Sequence, residues 1–499
     1  MVTLSRLWRR APWWLSLALG LICLAIGASL TLRPFASLAV LIVLSALALL
    51  ATGANEVAAA DPAGDRRLDV LAGLGWIVAG LAVLLWPGLT LRGLVVVLGV
   101  GMVIGGALKI IGGLRGTADE RFAALIGGVA SVILGLLALS WPDVTVLIVA
   151  VLFGLRTAAF GLAQIVSSLR RARGGGESRE GGGSGVLRRW SRALGALLAL
   201  LVALALLGIS TTLHRGAPRP DAFYDAPATV PPTPGALLRS EPFTRAIPAG
   251  ARAWRILYTT TRDDRTPALA SAIVVAAAAP PAGPRPVIAW AHGTTGADRS
   301  CAPSLLKDPF TAGATPALDQ IIANGWVLVA TDYVGLGTAG PHPYLIGQGE
   351  GRSVLDAVRA ARQLAGLTLA DQTVVWGHSQ GGHAALWAGI LAPRYAPDAN
   401  VIGVAALAPA SNLVGLINNL ENVAGGEIFA SFVISAYDAA YPDADLDTYI
   451  RPAARLVVRE MASRCLAEPE VFVSIVSTLT FDRPIWSTDP GTGPFAARL

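Results

Sequence analysis

Charged residues are scarce in this chain. Asp, Glu, Lys and Arg make up 14% of its 499 residues, against 54% hydrophobic ones, where an average soluble protein carries about 25% charge. That excludes a wholly soluble molecule and requires a membrane part. Cysteine is limited to three residues and histidine to five, and nothing after His383 is a histidine. The first apolar run has no convincing small-residue cleavage site behind it, so it does not read as a cleavable signal peptide. Paired carboxylates, intramembrane histidines and broken-helix motifs are missing, which argues against a transporter.

The apolar residues are gathered in the first 213 positions. Runs at Trp13–Leu32, Phe35–Asn55, Val70–Leu91, Phe122–Pro142 and Ala193–Leu213 are each long enough to cross a bilayer, which takes about 20 helical residues. Gly93–Leu108 and Val144–Leu169, the latter interrupted by Arg156, bring the expected count of transmembrane helices to seven. The net charge of +6 comes from cations beside these runs. It therefore reports topology and implies no nucleic-acid partner. Arg6, Arg9 and Arg10 precede the first run, and Arg66 and Arg67, Arg115 and Arg121, and the arginines of 170–192 fall in every second gap after it; the positive-inside rule makes all four places cytoplasmic. Seven crossings then deliver everything after Leu213 to the outer side. Arg156 is a functional candidate as an intramembrane charge, the plainer reading being a side chain that snorkels.

Pro34, Pro87 and Pro142 recur in the short turns, the last two within Leu-Leu-Trp-Pro-Gly-Leu-Thr and Leu-Ser-Trp-Pro-Asp-Val-Thr. We read an internal repeat of three helical hairpins, glycine-rich as close-packed membrane helices are. This architecture resembles the acid-resistance membrane protein family (HdeD-like) over about residues 10–170. The expected organisation is a cytoplasmic N-terminus (1–12), six spans (13–169), an Arg/Gly-rich cytoplasmic linker (170–192), a seventh anchoring span (193–213), a Pro-rich tether (214–245) and an exported domain (246–499).

The exported part changes pattern. Trp254–Thr260 and Ala268–Ala277 suggest an opening hairpin; Val287–Ala291, Trp326–Thr331, Thr373–Trp376 and Val401–Ala408 suggest buried parallel strands. Ala317–Asn324, Gly351–Leu364 and Gln380–Leu391 suggest crossover helices. Gly351–Leu364 is expected to bury Val354, Leu355, Val358 and Ala361, with Arg352, Asp356, Arg359 and Arg362 on the opposite face. The expected fold class is an α/β-hydrolase domain behind an all-α membrane domain. The strand at 373–376 runs into Gly377-His378-Ser379-Gln380-Gly381-Gly382, a Gly-x-Ser-x-Gly nucleophile elbow whose flanking glycines permit a cramped turn. An acyl-transfer site also needs oxyanion donors. The candidates are the N–H of Gln380 and groups on Thr294 or Thr295, in the loop His292-Gly293-Thr294-Thr295-Gly296 that follows an early strand. No metal or cofactor is expected. Cys301 and Cys465, both exported, read either as a disulfide or as two buried thiols.

Pro234–Ser240, Trp290–Gly296, Cys301-Ala-Pro-Ser304, Thr331–Gly337, His342-Pro-Tyr344 and Gly377–His383 occur in an order that resembles the secretory lipase family of α/β-hydrolases, over about 221–499. The resemblance implies carboxylester hydrolysis, an ester or lipid substrate, Ser379 as nucleophile, and a helical cap at about 412–480 in which Leu413, Leu416, Ile417, Phe429, Phe432 and Val433 are able to line an acyl site. It also implies that the acid and histidine of the triad follow the cap. The sequence places Leu499 soon after it, so we expect the last strands and both partners to be missing by truncation. His292, His342, His378 and His383 are not where an imidazole normally reaches the serine. The expectation is a membrane-tethered extracytoplasmic esterase; the alternative is a stress-related membrane protein with a non-catalytic hydrolase-fold module.

Overall fold

A computed structural model describes residues 13–59, 66–113, 118–172, 185–214, 219–279 and 282–499. The expected cytoplasmic N-terminus, Arg115, most of the linker (173–184) and 215–218 of the tether lie outside them. The chain divides into two compact units. One is Met1–Thr211 with Pro452–Val457 and Leu479–Pro484; the other is Thr212–Arg451 with Val458–Thr478 and Ile485–Leu499.

The first unit consists of helices α1 (Trp13–Leu32), α2 (Pro34–Ala59), α3 (Arg66–Leu85), α4 (Pro87–Gly113), α5 (Ala118–Ser140), α6 (Pro142–Ala172) and α7 (Gly185–Leu213). Three of them start on Pro34, Pro87 and Pro142, where the missing N–H costs nothing and the fixed φ suits a first turn. This corrects the expected third span, Val70–Leu91, which is cut at Leu85 because Pro87 opens the next helix. Among the described residues six helices are long and apolar enough to cross a membrane, and the third retains a shorter apolar stretch, Leu74–Leu85. Residues 185–192, expected in the linker, are the first turns of α7.

The three hairpins are also redrawn. Helices joined through the proline turns touch little, and the close pairs are α1 with α6, α2 with α3 and α4 with α5. Small residues decide this. A Cβ on Gly27 would lie 2.2 Å from the backbone N of Ala158, and one on Gly161 2.4 Å from that of Leu24. Gly106 and Gly128 approach each other's carbonyls in the same way across α4 and α5, as backbone contact between membrane helices requires. Arg156 is exposed on α6.

The second unit is built on a seven-stranded sheet in the order β1-β2-β3-β5-β4-β6-β7. Its strands are β1 (Leu237–Phe243), β2 (Ala251–Thr261), β3 (Pro267–Ala277), β4 (Arg285–Ala291), β5 (Val327–Thr331), β6 (Leu369–His378) and β7 (Val401–Leu407). β1, β2, β3 and β5 pair antiparallel in turn, and β5, β4, β6 and β7 run parallel. The expected tether is part of this fold. Phe223 and Tyr224 are buried in the main core, Arg239 donates to the carbonyls of Ala222, Phe223 and Asp225, and β1 covers the edge of β2.

Short helices α8 (Pro309–Ala312) and α9 (Leu318–Ala323) precede β5; α10 (Gly347–Ala361) and α11 (Gln380–Tyr395) lie against the sheet around β6. The polar face of α10 is largely covered as well. Arg352 and Asp356 are as buried as Val354 and Val358, because β2 and α11 cover the face opposite the apolar one. Asp356 takes hydrogen bonds from Thr260, Tyr395 and Arg359 at 2.7, 2.7 and 3.1 Å, and burial pushes its carboxyl up to about 6. After β7 come α12 (Leu413–Asn419), α13 (Gly426–Ala440), α14 (Leu446–Tyr449), α15 (Arg455–Ala462) and α16 (Val471–Thr478), over the stretch where a cap is expected, and α17 (Gly493–Arg498) is last.

Candidate active site

β6 delivers the chain to the elbow and α11 takes it away. Between them Ser379 has φ 56° and ψ −117°, a left-handed conformation that a non-glycine residue holds only under constraint. The constraint comes from close backbone packing. A Cβ on Gly377 would stand 1.9 Å from the carbonyl oxygen of Gly381, and one on Gly381 1.9 Å from that of Ala291. Ser379 donates its N–H to Leu407 O at 2.9 Å, and its carbonyl accepts from His383 N at 3.1 Å. Strand β7, the end of β4 and the first turn of α11 therefore all fix the serine.

The loop after β4 lies against this turn. A Cβ on Gly293 would sit 3.3 Å from the His378 carbonyl and 3.8 Å from Ser379 Cβ, so the structure brings the glycine of the His-Gly-Thr-Thr loop beside the serine. Thr294 is half-buried, with its hydroxyl 2.9 Å from that of Tyr344. Thr295 is fully buried; its hydroxyl has no hydrogen-bond partner among the described residues, and its carbonyl accepts from Leu466 N at 2.7 Å. The sulfurs of Cys301 and Cys465 are bonded, which joins the segment behind this loop to the segment that supplies Leu466. A cleft of about 900 Å³ opens beside Thr294, between Leu305, Leu306 and Thr311 on one side and Leu466 and Pro469 on the other. Of the residues expected to line an acyl site, Leu413, Ile417, Phe432 and Val433 are buried, and none of the six lines this cleft.

Four of the five imidazoles have partners away from the serine, and the His378 ring lies beside the loop after β4, its Nδ1 3.3 Å from where a Cβ on Gly293 would stand. His292 Nδ1 is 2.6 Å from Gly293 O, and His342 bonds Val334 O through Nδ1 and the Gln380 amide through Nε2, both at 3.0 Å. His383 Nδ1 meets Glu350 at 3.0 Å, and His214 lies 3.9 Å from Glu470. Burial pushes His292 down to about 4 and His342 to about 3. None of these bonds ends on the Ser379 hydroxyl.

Several motifs that sequence reasoning could quote but not explain acquire partners here. Asp332, wholly buried, accepts from Ser271 Oγ at 2.6 Å and from Ser304 N and Oγ at 2.9 and 2.5 Å, tying the Cys-Ala-Pro-Ser segment under the sheet; burial raises its carboxyl. The His342-Pro-Tyr344 segment touches both sides of the site, through Gln380 and Thr294. Glu350, on which Gln380 and His383 converge, gave no signal, since a lone glutamate at a helix start reads as solvated.

Comparison with known proteins gives matches in both units. Residues 311–485 match the secretory lipase family, and residues 71–129 and 126–208 match a short repeat of unknown function, DUF308, the membrane-protein family called HdeD-like. Among curated relatives, Lipase 6 of Candida albicans is 28% identical, covering 50% of this chain and 57% of that protein. Lipase A of Moesziomyces aphidis is 26% identical over 57% and 64%. A probable inactive lipase of Mycobacterium tuberculosis is 28% identical over 45% and 53%. The chain thus spans 57% and 64% of the first two relatives' lengths. Of solved structures, Candida antarctica lipase A matches with TM-score 0.45 at 22% identity, covering 55% of this chain and 66% of that one. The rice cell wall degrading esterase LipA from Xanthomonas oryzae matches with TM-score 0.46 at 22% identity, over 54% and 78%.

Proposed function

We propose that this chain, a secretory lipase segment carried behind a DUF308 helical repeat, is a membrane-tethered carboxylester hydrolase that acts outside the cytoplasm through Ser379. The observation that carries the reading is the backbone at Ser379: a strained φ held by three converging elements is costly and suits a nucleophile presented above the sheet. The Ser379 oxygen would attack an ester carbonyl, giving its proton to a base. The tetrahedral oxyanion would be met by Gln380 N–H and a group on Thr294 or Thr295. Collapse would expel the alcohol and leave an acyl-enzyme that water then cleaves. The cleft beside Thr294 would take one limb of the ester. The arginine distribution supports an outer placement of the hydrolase unit, next to envelope or membrane esters.

A second reading has its own support. None of the imidazole bonds described above reaches the Ser379 hydroxyl, and a serine without a base is a weak nucleophile; a non-catalytic hydrolase-fold module on a stress-related membrane protein would have that property. One experiment separates the two. The purified full chain and its Ser379→Ala variant, in detergent, are given a fluorophosphonate probe and p-nitrophenyl esters. Labelling of Ser379, and hydrolysis lost in the variant without loss of fold, support the esterase. A wild type that neither labels nor hydrolyses moves the assignment to the module.

A further inference from the structure

The residue that fastens the candidate oxyanion donor to the rest of the domain sits in α10. Glu350 is wholly buried. Its Oε1 accepts from Gln380 Nε2 at 2.7 Å and from the Leu345 N–H at 3.0 Å, and its Oε2 from His383 Nδ1 at 3.0 Å. The second amide hydrogen of Gln380 goes to His342 Nε2 at 3.0 Å. That nitrogen is free to accept because His342 Nδ1 donates to Val334 O at 3.0 Å. Both hydrogens of the Gln380 amide are therefore committed, and turning the amide over would set its oxygen against a carboxylate.

Gln380 and His383 are three residues apart, on one face of the first turn of α11. A single carboxylate thus fixes both the rotation and the axial position of the turn that carries the Gln380 N–H. The helices leave no slack beside it, since a Cβ on Gly347 would lie 2.0 Å from the Trp387 ring and one on Gly351 2.9 Å from Ala388 N. Glu350 also reaches the cap. Leu345, whose N–H donates to it, accepts the Tyr437 hydroxyl of α13 on its carbonyl at 3.0 Å.

We propose that Glu350 is a positioning residue for the oxyanion hole, holding Gln380 in register with Ser379 and linking that register to cap helix α13. Well-packed apolar side chains usually stabilise a fold as much as a buried ionic group does, so stability alone does not account for a carboxylate here; a fixed geometry does. A displacement of about 1 Å at a reacting centre costs about 10²-fold in rate. The inference rests on the esterase reading of Ser379.

The test uses the full chain in detergent and two readouts: ester kinetics, and hydrogen exchange of the peptide covering 377–385. Glu350→Ala is expected to lower kcat about 10²-fold with KM within two-fold, and to speed exchange in 377–385 while the rest of the hydrolase unit is unchanged. Glu350→Gln should restore kcat to within about five-fold, because its carbonyl serves Leu345 and Gln380 and its amide donates to the other tautomer of His383. If Glu350→Ala is not recovered folded, Glu350→Asp decides: it keeps the charge, withdraws by one methylene, and should cost about ten-fold in kcat at constant KM. Unchanged kcat, a loss confined to KM, or unaltered exchange would overturn the proposal. A wild type without esterase activity defeats the esterase reading alone, and the exchange contrast then still rules on Glu350.

Discussion

The α-carbon of Gly381 lies against the backbone of Ala291 so closely that a Cβ would stand 1.9 Å from the Ala291 carbonyl oxygen. The first turn of α11 is therefore pressed onto the end of β4, and the serine elbow and the His-Gly-Thr-Thr loop are two sides of one contact. Gly381→Ala has no space to relax into, because the clashing atoms are backbone. It should destabilise the hydrolase unit by at least about 3 kcal/mol. Gly403→Ala in β7, where a Cβ would be 4.0 Å from the nearest atom, should stay within about 0.5 kcal/mol of the parent. Thermal melts followed by tryptophan fluorescence compare the two.

The bond between Cys301 and Cys465 spans 164 residues of sequence. Constraining so long a loop in the unfolded chain is worth about 2–5 kcal/mol. Replacing both cysteines by serine should lower stability by that amount. It should also reduce ester hydrolysis, since the Leu466 N–H to Thr295 carbonyl bond loses its covalent neighbour. Intact mass with and without reductant, then a melt, checks the first statement; kinetics on the folded variant check the second.

Buried histidines and buried carboxyls respond to acid in opposite senses. His292 and His342 are held below their ordinary value, at about 4 and about 3, so their stabilising contribution is complete above about pH 6.5 and is lost as pH falls. Each costs about 1.4 kcal/mol per pH unit in that interval. Asp356 is held above its ordinary value, at about 6; its folded form binds a proton sooner than the unfolded one and adds stability as pH falls from 6 towards 4. Asp332 is raised by burial in the same sense, so the two carboxyls oppose the two histidines, and the histidine share is the part that substitution can isolate between pH 6 and 4. His342→Gln keeps an acceptor for Gln380 and a donor for Val334 O and should remove its part of that share. Denaturation at pH 6, 5 and 4 measures it.

Much of the fold was legible because its signals are local. The alternation of short β-branched runs with helices located β2 to β7 within a few residues, and glycines around Ser379 located the elbow. What failed needed distant partners. β1 was read as tether because Leu237–Phe243 gains its strand character only beside β2. The arginines and aspartate of α10 were read only as the face opposite the apolar one, because nothing local shows that β2 and α11 enclose them. Glu350 was invisible for the same reason: its three donors come from Leu345, Gln380 and His383, and only the first is near in sequence. The prolines marked the turns, but Pro87 was read inside a span and not as a helix start, and the helix pairs follow facing glycines such as Gly27 and Gly161.

That pairing governs the order in which the membrane unit can be assembled. α2 meets α3, and α4 meets α5, as soon as each hairpin has emerged from the ribosome. α1 has to wait for α6. At about 5–20 residues per second, the stretch between Gly27 and Ala158 takes on the order of ten seconds to synthesise. Throughout that interval the glycine face of the first helix is without its partner, so closure of the first helix on the sixth comes after the α2–α3 and α4–α5 pairs are complete in sequence.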